Sequence, residues 1–162
     1  MISIPQNISA IISFAVLMSF IPLASFAFLK WRKKKLSTKK LSLSIVISSI
    51  IFLGFIYQAT TGKIQAQDDS ILISSGFYSK SISKEDITSF EVSESFNEKI
   101  SWRVNGLSFI GIKHGYFFGE NDASMFLILN NPPYAVLHLK NNEVVAFSVS
   151  KNDIESLKKS IL

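Results

Sequence analysis

Two uncharged apolar runs, residues 8–29 and 41–59, dominate the start of the chain, and a block of positive charge separates them. Crossing a hydrocarbon core of about 30 Å takes roughly 20 residues of helix, and each run supplies that length. The block at 30–40 carries Lys30, Arg32, Lys33, Lys34, Lys35, Lys39 and Lys40 and no acid. Short loops so rich in Lys and Arg stay on the cytoplasmic side of a membrane. The pattern predicts a transmembrane hairpin in the cytoplasmic membrane with its basic loop inside. The N-terminus and everything after Ala59 then lie on the extracytoplasmic side. Residues 1–7 lack the positive charge that opens a cleaved leader, so the first run reads as a retained helix. Pro22 sits inside it, where a bilayer helix tolerates a kink. Ala15 and Ser19, and Ser44 and Ser48, have the small-residue spacing that lets two helices approach closely. Trp31 and Tyr57 fall at opposite ends of the hairpin, at headgroup level.

From Lys63 the period shortens. Segments 64–67, 70–75 and 77–82 read as short strands around the turn formers Asp68-Asp69 and Gly76, and 87–94 alternates as a half-buried strand. A short strand is expected at 100–104. Residues 105–119 carry Gly106, Gly111, Gly115 and Gly119 among aromatics, which predicts tight bends. Three strong strands follow at 124–129, 134–139 and 143–149, joined by Asn130-Asn131-Pro132-Pro133 and by Lys140-Asn141-Asn142, lengths suited to antiparallel hairpins. Ser150 and Asp153 mark a helix start, and Lys158 and Lys159 suit its end. Ile154, Leu157 and Ile161 share one face of that helix, so it should cap the strand assembly. The fold class is α+β, mainly β: a hairpin over 1–59, then a domain over 60–162 of about seven strands and one C-terminal helix. Thr60-Thr61-Gly62 is the whole linker, which keeps the domain close to the membrane surface.

Charge and composition narrow the chemistry. The net charge of +5 resides in the basic loop, because residues 60–162 hold ten basic side chains against twelve acids. A nucleic-acid-binding domain needs positive charge on its folded face, so that class is disfavoured. The absence of cysteine removes disulfides and thiolate chemistry. His114 beside Gly115 reads as a turn residue and His138 as a solvent-facing strand residue; two isolated histidines do not make a zinc site, and no metal or cofactor is expected. No Gly-x-Ser-x-Gly elbow and no phosphate-binding glycine loop is present, so an enzyme is disfavoured.

Ile82-Ser83-Lys84-Glu85-Asp86-Ile87 is similar to a strand-turn-strand corner of the bacterial pleckstrin-homology (PH) domain families. Arg103-Val104-Asn105-Gly106, Gly111 and His114-Gly115-Tyr116-Phe117-Phe118-Gly119 resemble a glycine-aromatic pattern of one bacterial subgroup. There too a last strand ending in Ser, here Phe147-Ser148-Val149-Ser150, precedes a helix. The resemblance covers about residues 63–162. It implies a PH-like antiparallel barrel or sandwich capped by the helix. It does not carry over a phosphoinositide pocket, since Lys63, Lys80 and Lys84 stand against Asp68, Asp69, Glu85 and Asp86.

Phe90, Phe109, Phe126 and Phe147 are the candidate core aromatics. Trp102, Arg103, Tyr116, Phe117 and Phe118 are the candidate binding residues, because consecutive aromatics on a strand cannot all face inward. The expected function is a non-catalytic, membrane-anchored recognition or scaffolding module that presents a protein- or peptide-binding surface. The alternative is a sensor of a lipid or small apolar ligand.

Overall fold

The computed structural model describes residues 1–31 and 38–161, so Arg32, Lys33, Lys34 and Lys35 of the basic loop lie outside the described residues. The chain divides into two compact units, Ile8–Tyr57 and a second made of Met1–Asn7 with Gln58–Leu162.

In the first unit, α1 (Ile8–Trp31) and α2 (Thr38–Thr60) take up the two apolar runs; the last turn of α2, from Gln58, belongs to the second unit. The stretches Ile8–Phe28 and Ser42–Thr60 have mean hydropathies of 2.2 and 1.9 and are long and apolar enough to cross a membrane. Apolar side chains such as Leu17, Phe20, Leu23, Ile50 and Leu53 are exposed. Phe14 stacks on Phe55 with centroids 3.9 Å apart. Ala15, Ser19 and Ser48, part of the small-residue pattern, line a cleft of about 200 Å³ between the helices.

The second unit begins with a strand too short for the hydrophobic pattern to predict. β1 (Ile2–Ser3) pairs antiparallel with β2 (Lys63–Ala66), and β3 (Ser70–Ser75) and β4 (Tyr78–Ser83) complete a four-stranded antiparallel sheet in the order β1-β2-β3-β4. Residues 1–7 therefore fold with the domain, whereas the sequence groups them with the hairpin over 1–59. Ile4 is fully buried and its N–H donates to the Gly62 carbonyl at 3.0 Å. A Cβ on Gly62 would lie 2.7 Å from that of Ile4, so the expected linker is instead a packed part of the sheet's end.

The second sheet contains β5 (Ile87–Ser93), β6 (Ile100–Phe109), β7 (Ile112–Gly119), β8 (Ser124–Leu129), β9 (Tyr134–Leu139) and β10 (Val144–Ser148), in the order β5-β9-β10-β8-β7-β6. The domain thus has nine strands after residue 60, against about seven expected, arranged as two open sheets and not a closed barrel. The β9–β10 hairpin forms as expected. β8 and β9 do not pair: β10 lies between them and runs parallel to β8. Prolines cannot continue a ladder, and the Asn130 and Asn131 amides turn to Ser148 Oγ at 2.8 and 3.0 Å, which carries the connection across the end of β10. Residues 105–119 also differ from expectation. They form most of a long β6–β7 hairpin in which Gly111, at φ +79°, serves the turn. Gly106 and Gly115 face each other across the strands. A Cβ on Gly106 would lie 2.5 Å from the His114 carbonyl, and one on Gly115 2.4 Å from that of Asn105.

The main core lies between the sheets. Ile64, Ile71, Ile73 and Ile82 pack against Phe126, Ile128, Leu137, Val145 and Phe147, and Leu157 and Ile161 of α3 (Ile154–Ile161) close one end. The expected capping face of the helix is thus the buried one. Its start is a single 3-10 turn, Lys151–Asp153, without the Ser150 side-chain bond that the sequence suggested. The opposite face of the second sheet carries another cluster, Phe117, Met125, Leu127, Leu129, Val136, Val144 and Ala146. β8 is apolar on both faces, which accounts for its unbroken hydrophobic run.

Candidate functional site

β6 is an edge strand of the second sheet and pairs only with β7 there. Its residues 101–105 are exposed on both faces, with Trp102 at 57 % and Val104 at 55 % of full exposure. The Trp102 ring stacks on Phe118 of β7, centroids 5.2 Å apart at 24°. Arg103 is exposed beside it and sits in register with Phe117. Successive side chains on a strand point to opposite faces, and this separates the five expected binding residues. Phe117 is only 2 % exposed, in the second apolar cluster, and is removed from the surface. Tyr116 packs against the main core, its ring 5.0 Å from Phe126, and its hydroxyl donates to the Ser79 carbonyl at 3.0 Å. Trp102 remains exposed on a half-buried Phe118, and Arg103, exposed as well, falls on the opposite face of β6, the face it shares with Phe117. Register shifts between Ile100 and Trp102 and between Arg103 and Asn105 bend the strand at this point.

A second arrangement is buried. His114, expected in a turn, lies within β7, wholly shielded from solvent. Gln58 Nε2 donates to the Ser75 carbonyl at 2.6 Å and lies 3.1 Å from His114 Nδ1. Ser75 Oγ donates to the Gln58 carbonyl at 2.7 Å and lies 3.2 Å from the same nitrogen. His114 Nε2 lies 2.9 Å from Asn130 Oδ1, while Asn130 Nδ2 donates to the Pro5 carbonyl at 2.8 Å. Gln58 Oε1 accepts from the Phe77 N–H at 2.9 Å. These orientations select one tautomer. Asn130 presents an oxygen, so the imidazole proton sits on Nε2; Gln58 presents an amide N–H, so Nδ1 accepts. Burial pushes the His114 pKa down to about 4, opposed in part by the bonds with Asn130 and Gln58. The ring is neutral at ordinary pH.

Ser75, His114 and Asn130 stand in the hydrogen-bond order of a nucleophile, a base and an orienting group. The chemistry does not follow. All three side chains are buried, the Ser75 proton is directed to a carbonyl and not to the imidazole, and the neutral Asn130 amide offers no charge to an imidazolium. Among the described residues no three His, Asp or Glu side chains are grouped to hold a metal ion. His138, on β9, is half-buried and its carbonyl accepts from Thr88 Oγ1. Lys80, one of the three early lysines, is ion-paired with the buried Glu143.

Residues 62–161, well over half of the chain, match the family model described as Bacterial PH domain. No curated protein and no solved structure matches the chain significantly.

Proposed function

Starting from a chain that belongs to the bacterial PH domain family, we propose that it is a non-catalytic recognition module, anchored by its two apolar helices and offering β6 to an extended segment of a protein partner. The observation that carries this reading is that β6 ends its sheet, pairing among the described strands with β7 alone. Such an edge strand, with Trp102 and Val104 exposed, is suited to strand addition. Main-chain bonds would give affinity, and the Trp102–Phe118 stack on one face of β6 and Arg103 on the other would give specificity. The hairpin would hold this edge near the outer face of the cytoplasmic membrane, a placement supported by the basic residues Lys30, Lys39 and Lys40 and their neighbours at 32–35.

Two measurements test the reading. A photo-crosslinking side chain at Ser101 in intact cells should give a defined protein adduct that Val104→Pro, which breaks the regular exposed strand at its centre, abolishes. An adduct indifferent to Val104→Pro, or none, rejects the strand edge as the contact. Single cysteines at Ser37 and Asn141, probed with an impermeant thiol reagent, should label at Asn141 alone; labelling at Ser37 alone would put the domain in the cytoplasm.

The second reading, a sensor of a lipid or small apolar ligand, is favoured by a cleft of about 330 Å³ lined by Ile2, Ile64, Ala66, Asp153, Leu157 and Ser160. The space between the sheets is filled by Phe126 and Phe147, so this cleft is where such a ligand would sit. A spin-labelled fatty acid that broadens signals of Ile64 and Leu157, and not those of β6, would support it.

A further inference from the structure

The two stretches of chain that run into the helices are held by separate groups of bonds, and those groups meet at one imidazole. Ahead of α1, the Pro5 carbonyl accepts from Asn130 Nδ2 at 2.8 Å and the Gln6 carbonyl from Asn131 Nδ2 at 2.8 Å, while Asn7 Nδ2 donates to the Asn130 carbonyl at 3.0 Å. At the end of α2, Gln58 is bonded to Ser75 and Phe77, and Thr61 Oγ1 accepts from the Gly76 N–H at 2.8 Å. Among the described residues, His114 is the side chain in hydrogen-bond contact with both Gln58 and Asn130. We infer that His114 is a coupling residue, a latch that makes the hold on the start of α1 and the hold on the end of α2 conditional on each other.

The mechanism is the position of one proton. Pro5 fixes Asn130 with its oxygen toward the ring, which requires the proton on Nε2 and leaves Nδ1 as an acceptor. Phe77 fixes Gln58 with its amide N–H toward the ring, which requires that acceptor. Losing the Asn130 arm leaves a buried N–H without its partner, a costly state that a shift to the Nδ1–H tautomer relieves. The shifted ring then turns an N–H toward the Gln58 N–H. Gln58 has to rotate, and its bond to the Phe77 amide is lost. The same sequence runs in reverse from Gln58. The ring's hydrogen-bond partners among the described residues are all uncharged, and Ser75 Oγ, 3.2 Å from Nδ1 with its own proton on the Gln58 carbonyl, can accept the shifted proton and so holds the Nδ1–H tautomer once it forms. Because His114 lies on β7, opposite Leu107 of β6, a change at either helix end is delivered to the strand pair that carries the exposed edge. The latch stands whether or not β6 binds a partner.

The test uses the full chain in lipid nanodiscs and amide hydrogen exchange. Asn130→Ala removes the α1 arm and touches nothing bonded to Phe77. It should speed exchange of the Phe77 amide about fivefold or more, the lower range of ordinary coupling between sites, while amides within β9 and β10 keep their protection. Gln58→Ala should act reciprocally on the Asn131 amide. In a His114→Phe background each substitution should add nothing at the other arm. Unchanged Phe77 exchange in Asn130→Ala, or equal acceleration with and without the histidine, overturns the inference. Should His114→Phe fail to fold, nitrogen NMR of labelled histidine decides. The intact protein should show the Nε2–H tautomer alone and Asn130→Ala a mixture, and an Nδ1–H signal in the intact protein rejects the latch.

Discussion

Lowering the pH from 7 to 4 protonates His114 in the unfolded chain well before it does so in the folded one. The folded-state pKa is near 4, against an ordinary 6.5, because the ring is buried among uncharged groups. Between those two values the unfolded state binds a proton that the folded state does not. The stability this residue confers is therefore complete above pH 6.5, falls as the pH drops toward 4, and is flat below. At about 1.4 kcal/mol per pH unit the full interval corresponds to roughly 3 kcal/mol, of which about 2 kcal/mol is already lost at pH 5. Other groups titrate over the same range, so the informative quantity is a difference. His114→Gln keeps an N–H donor for Asn130 but does not titrate. It should be less stable than the parent at pH 7 and should converge on it as the pH approaches 4. Urea unfolding of the full chain in detergent, followed by near-ultraviolet circular dichroism of the packed aromatics, measures both. Parallel pH profiles for the two proteins would refute the assignment of a buried, neutral His114.

Ile4→Ala should destabilise the folded unit by roughly 2–4 kcal/mol in the same unfolding assay, because it empties a fully buried site in a segment that lies ahead of the first helix. Gly115→Ala should cost at least about 2 kcal/mol, seen as a lower urea midpoint, since Gly115 has φ +118° and its Cβ would meet the backbone of Asn105 and Gly106, which cannot swing aside. Trp102→Ala should change stability by less than about 1 kcal/mol, given its exposure, while abolishing the Ser101 crosslink.

The parts of the fold that the sequence made legible are those governed by local pattern. The strands at 70–75, 124–129 and 134–139 appear with the bounds their apolar runs suggest, and the buried face of α3 is the one marked by Leu157 and Ile161. What escaped depends on distant partners. β1 is two residues long, too short to show a period, and exists because Lys63 and Ile64 lie opposite it. The parallel β8–β10 pair was hidden because a four-residue connection reads as a hairpin until Ser148 is seen to take both asparagine amides. Glycines read as bends because a positive φ and a close approach of two backbones leave the same mark in a sequence; only Gly111 makes the turn, and the facing pair Gly106 and Gly115 serves contact between strands.

The candidate surface was half legible for a related reason. Alternation predicts that Tyr116, Phe117 and Phe118 cannot share a face, but not which face is covered, and the second apolar cluster that takes up Phe117 is built from β8, β9 and β10. The buried node left a weaker trace. Gln58 is a polar residue closing an apolar run, and Asn130-Asn131 are paired amides after a strand. Either reads as an ordinary boundary, and their meeting at His114 depends on three separate long-range approaches.

The pairing of β1 with β2 also constrains the helices without reference to their surroundings. Residues 1–7 and everything from Gln58 onward form one folded unit, and the apolar stretch Ile8–Tyr57 connects them. A membrane crossed once by that stretch would leave β1 on one side and β2 on the other, exposing the Ile64 and Ile4 packing and breaking the bonds from Asn130 and Asn131 to Pro5 and Gln6. The folded unit therefore tolerates an even number of crossings or none. The two helices are long and apolar enough to supply two, and the basic residues between them oppose transfer of the loop. The N-terminal segment thus keeps both ends of the apolar stretch on the same side of any membrane it enters.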